Sequence, residues 1–250
     1  MSSNRLRGKT IVLTGTHKTL SIKKLIEENG GECAVFPLIE AKELQSSEDA
    51  VQLAELNNYD WLIFTSQNAV QVFIDKCQRA KIDVRKLTCS IASVGTQTTA
   101  LLERYGVKVD FMPSTFSADI FVKEFPQVAQ ETERKLFVRG SLAKPTIRNG
   151  IVNVTEWTVY ETCTNHASAG PLAELLKEKR SIVIFASPSA VQAFHEKVAP
   201  IVGWQQISAA AIGHITAEAL RGLGVDVYVQ PTTYTMQAVI EEIILLEEEQ

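Results

Sequence analysis

Serine and threonine side chains recur in this sequence where an apolar, strand-like run passes into a helix-like segment. Residues 60–64 form such a run, which stops at Thr65-Ser66, and residues 67–73 then carry apolar side chains at helical spacing. The first turn of a helix has unpaired backbone N–H groups and a partial positive charge, so it can bind an anion. We therefore predict anion binding, without lysine or arginine, at four such turns: Thr65-Ser66, Gly95–Thr98, Ser187–Ser189 and Gly213–Thr216.

The candidate ligands for these anions also have structural explanations. Serine and threonine at these positions would cap the helix in any case, and glycine serves tight turns. Arg139 could pair with an anionic ligand or with a carboxylate of the protein, and His214 could contact an anion or simply begin a helix. Both interpretations stay open for the whole candidate set: Thr65, Ser66, Gly95, Thr96, Thr98, Ser117, Arg139, Ser187, Ser189, Gly213, His214 and Thr216.

The polar turns belong to a sequence that is duplicated within the chain. FTSQNAVQVF at residues 64–73 returns as FASPSAVQAF at residues 185–194, with six of ten positions identical. SVGTQTTALLERYGVKVDFMPSTFSA from Ser93 then matches AIGHITAEALRGLGVDVYVQPTTYTM from Ala211 without a gap, at an offset of 118 residues. This period exceeds the roughly 20–50 residues of solenoid repeats. The pattern indicates two diverged copies of one α/β unit.

Strand-like and helix-like segments alternate along both copies, which predicts parallel sheets with helices on both faces. In such folds, ligands bind beyond the carboxyl ends of the strands, where the four polar turns would lie. Three local expectations are less regular. We predict a strand at residues 107–111, no stable helix between Pro145 and Gly150, and a helix from Pro171 to Lys179.

Two segments are expected to carry the chain between domains. Pro37 interrupts the strand-like run at residues 33–40, where a proline cannot donate to a sheet ladder. Residues 154–164 take the equivalent place in the second copy, with Trp157 and Val159 on one side of an alternating pattern. We expect residues 1–36 and 167–250 to form one domain, residues 41–160 the other, and residues 37–40 and 161–166 the connections between them.

Composition argues against several classes of protein. The 250 residues carry a net charge of −4, with 45% hydrophobic and 22% charged residues, and no basic field for nucleic acid. No apolar run approaches the roughly 20 residues that span a bilayer, and no signal peptide is recognisable, so we expect no membrane partner and a cytoplasmic location. The four cysteines and four histidines are scattered without metal-ligand spacing, so we expect no metal site.

Other functional classes remain compatible with the residues alone. The string TGTHKTLS after the first strand fits neither G-x-G-x-x-G nor G-x-x-x-x-G-K, which argues against a nucleotide-binding enzyme. A cleft-closing binding protein would share the duplication, although such proteins are normally secreted behind a signal peptide. A sensor domain of a regulator would share it too.

The chain resembles the uroporphyrinogen-III synthase family over almost its whole length. The strings FTSQNAV, VGTQT with GVKVDFMPSTFSA, VRG, VYET, FASPSAV, and IGHITAEAL with PTTYT occur in the family's order and spacing. The resemblance implies two flavodoxin-like α/β domains, joined by a two-stranded connection, with the ligand cleft between them. It also implies a lyase that closes hydroxymethylbilane to uroporphyrinogen III, with inversion of the terminal pyrrole ring and loss of water, and that needs no metal or organic cofactor.

The same resemblance assigns a role to Tyr160 in the string VYET. It matches the family's tyrosine and becomes the candidate general acid for loss of the substrate hydroxyl as water. The alternative is packing, since a tyrosine at a strand end often buries its ring and leaves its hydroxyl in water. The expected partner is the small-molecule substrate alone, and the expected state is a monomer.

Two departures from the family's pattern stand out. Thr14-Gly15-Thr16 stands where the family commonly has Thr-Arg-Pro, so any role of that arginine is absent or moved. The segment after Arg139-Gly140 is also shorter than usual.

Overall fold

The computed structural model describes residues 4–15 and 19–248. The chain divides into two compact units, and each contains one five-stranded sheet. Unit 1 comprises Met1–Glu40 and Cys163–Gln250, and unit 2 comprises Ala41–Thr162.

Strands and helices alternate along the described chain. The strands are β1 (Thr10–Leu13), β2 (Glu32–Val35), β3 (Ile39–Glu43), β4 (Trp61–Phe64), β5 (Ser90–Ser93), β6 (Lys135–Gly140), β7 (Val154–Thr164), β8 (Ser181–Phe185), β9 (Ile207–Ala211) and β10 (Val227–Val229). The α-helices are α1 (Thr19–Glu28), α2 (Glu48–Ala54), α3 (Gln67–Arg79), α4 (Thr96–Arg104), α5 (Ala118–Glu124), α6 (Thr146–Gly150), α7 (His166–Glu178), α8 (Pro188–Lys197), α9 (Ala199–Val202), α10 (His214–Gly222) and α11 (Met236–Glu248).

The sheet of unit 1 has the spatial order β2-β1-β8-β9-β10, with parallel pairing throughout. In chain order this is 2-1-3-4-5, the flavodoxin-like arrangement. Neighbouring residues of β1 enter opposite cores: Val12 packs in one cluster, whereas Ile11 and Leu13 pack in the other. Both faces of the sheet are therefore covered, as expected for parallel strands with helical crossovers.

The sheet of unit 2 has the order β3-β7-β6-β4-β5. Four strands of this sheet repeat the spatial order of unit 1: β7, β6, β4 and β5 correspond to β2, β1, β8 and β9. Strand β3 is added at the outer edge, beside β7. A single parallel bridge from Ala92 to Phe111 takes the place of β10. The predicted α/β architecture with parallel sheets is thus confirmed, and the duplication in sequence corresponds to two sheets of one topology.

The strand predicted at residues 107–111 is wrong, because only Phe111 forms a bridge. The backbone N–H of Ile91 donates to the Asp110 carboxylate, 3.0 Å away, instead of to a carbonyl of a neighbouring strand. Both Asp110 N–H and Phe111 N–H donate to the carbonyl of Ile91. A regular ladder cannot form where a side chain takes one of its hydrogen bonds.

Two expectations about helices are also wrong. The five-residue helix α6 lies within the segment from Pro145 to Gly150, where Ile147 is buried and packs against the core. Helix α7 begins at His166, five residues before the predicted start at Pro171, because the Asn165 side chain accepts a hydrogen bond from the N–H of Ala167 at 3.1 Å. The proline thus lies within the helix, where it lacks one backbone donor.

Gly222 gives a prediction about the stability of unit 1. It is the last residue of α10, and a Cβ atom added there would meet no other atom within 4 Å. Gly222→Ala should therefore raise the free energy of unfolding by about 0.5–1 kcal/mol, because alanine loses less backbone entropy in a helix. Urea unfolding followed by circular dichroism measures the change, and a loss of stability would contradict it.

Candidate functional site

The carboxyl edge of the sheet in unit 2 contains a topological switch point. From β4 the chain continues to β5 on one side, whereas from β6 it continues to β7 on the other side, so the strand order reverses between β4 and β6. Ligands of open α/β sheets bind beyond the carboxyl ends of the strands at such a point. Thr65-Ser66 and Gly140-Ser141 stand at these strand ends.

Ser66 has two hydrogen-bonding neighbours at this edge. It is the N-cap of α3, and its Oγ accepts a hydrogen bond from the N–H of Ala69 at 3.1 Å. The same oxygen lies 3.1 Å from the hydroxyl of Tyr160, a residue 94 positions later in the chain. The cap predicted from sequence is confirmed, and the contact with the candidate acid is an additional finding.

Tyr160 reaches this position through an irregularity in β7. Arg139 pairs with Thr158, but the next residue of β6, Gly140, pairs with Tyr160, so Val159 is an extra residue in the ladder. Trp157, Val159 and Tyr160 consequently pack in one core cluster, although strict alternation would place Tyr160 on the opposite face. β-Bulges re-aim side chains in this way and are frequent beside active sites. Tyr160 is 9% exposed.

Arg139 is engaged within unit 2. Its guanidinium forms an ion pair with Glu156 and donates to the carbonyl oxygens of Ala143 and Gly140. The pair is largely shielded from solvent, since the side chains are 13% and 19% exposed. Of the two interpretations of Arg139, pairing with a carboxylate of the protein or with an anionic ligand, the structure shows the first.

The glycines that precede α4 and α10 differ in backbone conformation. Gly95 has φ of +94°, a region that favours glycine. Gly213 is extended, with φ of −168°, so a turn conformation does not explain it. A Cβ atom at Gly213 would lie 3.0 Å from the ring of Tyr234, so close packing against this ring explains the glycine. The interpretation of Gly213 as a turn glycine is therefore corrected.

The residues after these glycines separate into exposed and buried positions. Thr96 and His214 begin α4 and α10 and are exposed, whereas Thr98 and Thr216 are buried within their own units. The Nδ1 atom of His214 lies 2.9 Å from the hydroxyl of Tyr234. Only the first pair of residues is open to solvent.

The other predicted serines act as helix caps. Ser117 Oγ accepts from the N–H of Ile120 at 3.2 Å before α5, and Ser187 Oγ accepts from the N–H of Ala190 at 3.3 Å before α8. Ser189 follows in the first turn of α8 and is half-buried. In unit 1, Thr14 donates its hydroxyl proton to the carbonyl of Ile184 at 2.8 Å, whereas Thr16 lies outside the described residues.

The candidates thus fall into two groups, each on the strand ends or helix starts of its own unit. Unit 2 contains Thr65, Ser66, Gly95, Thr96, Thr98, Ser117, Arg139 and Tyr160, and unit 1 contains Ser187, Ser189, Gly213, His214 and Thr216. Among them the structure brings Ser66 and Tyr160 into direct contact. Sequence reasoning did not select Gly140, where a Cβ atom would collide with the ring of Tyr160.

The cysteines do not form a reactive or metal-binding cluster in the described chain. No group of three histidine, cysteine or acidic side chains in residues 4–15 and 19–248 could hold a metal ion. Burial raises the pKa of Cys77 to about 12 and that of Cys89 to about 11. These two thiols are therefore protonated at neutral pH and are poor nucleophiles. None of the helices in the described ranges is long and apolar enough to cross a membrane.

The chain is similar to known proteins over most of its length. The family model for "Uroporphyrinogen-III synthase HemD" matches residues 21–241. The uroporphyrinogen-III synthase of Chlorobaculum parvum is 28% identical over 89% of this chain and 93% of its own length. The porphyrin biosynthesis protein HemD of Ruminiclostridium josui is 24% identical over 94% of this chain, which spans 48% of that relative.

Solved structures have the same fold. The uroporphyrinogen-III synthetase of Helicobacter pylori aligns over 95% of this chain and 99% of its own, with a TM-score of 0.68 and 19% identity. A mutant uroporphyrinogen III synthase of Thermus thermophilus aligns over 97% and 100%, with a TM-score of 0.65 and 16% identity.

Proposed function

The chain belongs to the uroporphyrinogen-III synthase family, and we propose that it closes hydroxymethylbilane to uroporphyrinogen III, with inversion of the terminal pyrrole ring and loss of water. The observation within this chain that carries the proposal is the contact of Tyr160 with Ser66 at the switch point of unit 2. A weak acid held beside a helix N-terminus at this edge can serve a substrate that must lose a hydroxyl group.

The polar turns support a substrate with many carboxylates. Helices α3, α4, α8 and α10 begin at the carboxyl edges of their sheets, behind Ser66, Gly95, Ser187 and Gly213. Each helix start offers backbone N–H donors and a partial positive charge to an anion. Several such starts can bind several carboxylates with no bound cation. Exposed Thr96 and His214 add side-chain donors at two of them.

The proposed chemistry divides between proton transfer and conformational control. Tyr160 donates its phenolic proton to the departing hydroxyl, the C–O bond breaks with its electrons on oxygen, and water leaves an azafulvene-like cation. For inversion, the substituted carbon of the terminal pyrrole ring at the other end of the chain attacks this cation. The older bond from that carbon to its bridging methylene group then breaks, which leaves a second azafulvene-like cation on the neighbouring ring. The unsubstituted carbon of the terminal ring closes on the second cation, and the proton that it loses restores the phenol of Tyr160. Holding a flexible chain in a reactive fold can lower a barrier by roughly 7–11 kcal/mol in favourable cases, which exceeds the effect of one proton donor.

The proposal includes the arrangement expected from sequence. Residues 1–36 and 167–250 would form one domain and residues 41–160 the other, with the substrate in a cleft between them and residues 37–40 and 161–166 as connections. The placement of polar turns at the carboxyl edge of each sheet supports this arrangement. We further propose a cytoplasmic, monomeric hydro-lyase without metal or organic cofactor.

Consumption of hydroxymethylbilane tests this function. The purified chain should consume it faster than spontaneous ring closure does, and a chelator added to the reaction should leave the rate unchanged. Consumption at the spontaneous rate would contradict the proposal, and a rate that the chelator abolishes would contradict the absence of a metal requirement.

A further inference from the structure

Gly140 makes room for the side chain that the proposed reaction uses. The ring of Tyr160 lies so close to this glycine that a Cβ atom at position 140 would overlap Cζ and would be 2.7 Å from the phenolic oxygen. Real Cβ atoms do not approach other heavy atoms so closely. Any other residue at this position would displace the phenol from its present site.

The backbone on both sides of this contact is fixed. Gly140 pairs with Tyr160 across the irregular register of β6 and β7, and the N–H of Ser141 donates to the carbonyl of Tyr160 at 2.9 Å. Tyr160 therefore cannot move away from Gly140 without breaking the end of the ladder. The position of its ring is set by the bulge and by the missing side chain at residue 140.

The hydroxyl of Ser66 is the hydrogen-bonding neighbour of the phenolic oxygen. Its Oγ accepts the N–H of Ala69, and the 3.1 Å contact with Tyr160 allows either hydroxyl to be the donor; in one of these two orientations Ser66 donates its proton to the oxygen of Tyr160. In that orientation the proton of Tyr160 points away from Ser66. After proton transfer, the same hydrogen bond and the partial positive charge at the start of the 13-residue helix α3 would stabilise the phenolate.

We propose that Gly140 and Ser66 are positioning residues for Tyr160: Gly140 admits the ring, and Ser66 donates a hydrogen bond to the phenolic oxygen so that its proton faces the hydroxyl group that leaves the substrate. This inference rests on the proposed function. Gly140, the glycine of the string VRG, and Ser66, the helix cap, would then affect catalysis through Tyr160.

Double-mutant cycles with Tyr160→Phe test the inference through kcat. Gly140→Ala and Ser66→Ala should each lower kcat by about 10- to 100-fold, a share of the roughly 10²- to 10⁴-fold effect of a general acid. In the Tyr160→Phe background, each should change kcat by less than about twofold, since residues that act through one group are not additive. A purely structural role would lower kcat equally in both backgrounds.

Two control variants remove the same kinds of feature elsewhere. Gly222→Ala adds a methyl group that meets no atom within 4 Å. Thr235→Ala removes the hydroxyl that accepts from the N–H of Ala238 at 3.1 Å, before the 13-residue helix α11, which matches the cap at Ser66. Both controls should retain the kcat of the wild type.

The outcomes separate the inference from the function on which it rests. If Gly140→Ala does not fold, as circular dichroism would show, the cycle with Ser66→Ala decides. The inference would be overturned if the loss of kcat in a double mutant equalled the product of the losses in the two single mutants. Full activity of Tyr160→Phe would overturn it too. In either case, type III product from the wild type would leave the proposed function standing. Type I product alone from the wild type would overturn both.

Discussion

Tyr160→Phe should lower kcat by about 10²- to 10⁴-fold, the range that a positioned general acid contributes. The substitution removes the phenolic proton and the contact with Ser66 but keeps the ring, which is 9% exposed and packs in the core of unit 2. The residual product should still be the type III isomer, because the proposed function assigns conformational control to the polar turns rather than to Tyr160. Initial rates with hydroxymethylbilane, together with separation of the isomers, measure both effects.

Tyr59→Phe is the matched control for this experiment. Tyr59 lies in the same unit, is 5% exposed, and donates its hydroxyl proton to Gln52 at 2.9 Å, so the variant loses a comparable buried hydroxyl away from the site. It should keep the wild-type kcat. A fully active Tyr160→Phe variant would show that the proton donor is another group, although the family function could stand.

Asp49→Ala should lower the free energy of unfolding by about 3 kcal/mol, within the range for a buried charge that loses its partner. Asp49 pairs with Lys76, which is 3% exposed, and it accepts the indole N–H of fully buried Trp157 at 2.9 Å. Its removal leaves both donors short of an acceptor. The effect stays at the lower end of the range because Glu43 still lies 3.1 Å from Lys76.

Urea unfolding followed by tryptophan fluorescence measures this loss. Glu174→Ala is the control, because Glu174 forms an exposed pair with Lys177 that solvent screens, and it should change stability little. A loss as small as that of the control would contradict a stabilising role for the buried network.

The stability that Asp49 contributes should also depend on pH. Burial acts to raise the pKa of its carboxyl group, but hydrogen bonds from Lys76, the N–H of Ser46 and Trp157 outweigh this, and the net pKa is lowered. A lowered pKa in the folded state means that the contribution is complete above the pKa of the unfolded chain and is lost as the pH falls through the folded value. The difference between wild type and Asp49→Ala should therefore shrink in acid.

Sequence alone could predict the parts of the site that depend on local signals. A serine before an apolar helical run at residues 67–73 predicts a cap at Ser66, because the cap uses a hydrogen bond only three residues away. The duplication and the alternation of strands and helices predict parallel sheets with polar turns at their carboxyl ends. These features need no knowledge of distant contacts.

The contact of Ser66 with Tyr160 could not be predicted in this way. It joins residues 94 positions apart, and it depends on the extra residue Val159, which breaks the alternation expected for β7. A glycine at the end of a strand can mark a close approach of another group, which was the available signal for Gly140. That signal does not identify the approaching side chain.

The local errors have equally physical causes. Asp110 replaced a carbonyl in the ladder at residues 107–111, and a side-chain cap at Asn165 moved the start of α7 ahead of Pro171. Helix α6 is stabilised because Ile147 is buried against the core of unit 2. The helix propensity of five residues does not reveal such a contact. In each case a tertiary or side-chain contact outweighed the local pattern.

The isomer formed from hydroxymethylbilane tests the central claim most directly. The purified chain is incubated with hydroxymethylbilane, the product is oxidised to porphyrin, and the type I and type III isomers are separated by chromatography. The type III isomer should predominate, at a rate above that of spontaneous closure to type I. Type I alone, formed at the spontaneous rate, would contradict the assignment of this chain as a uroporphyrinogen-III synthase.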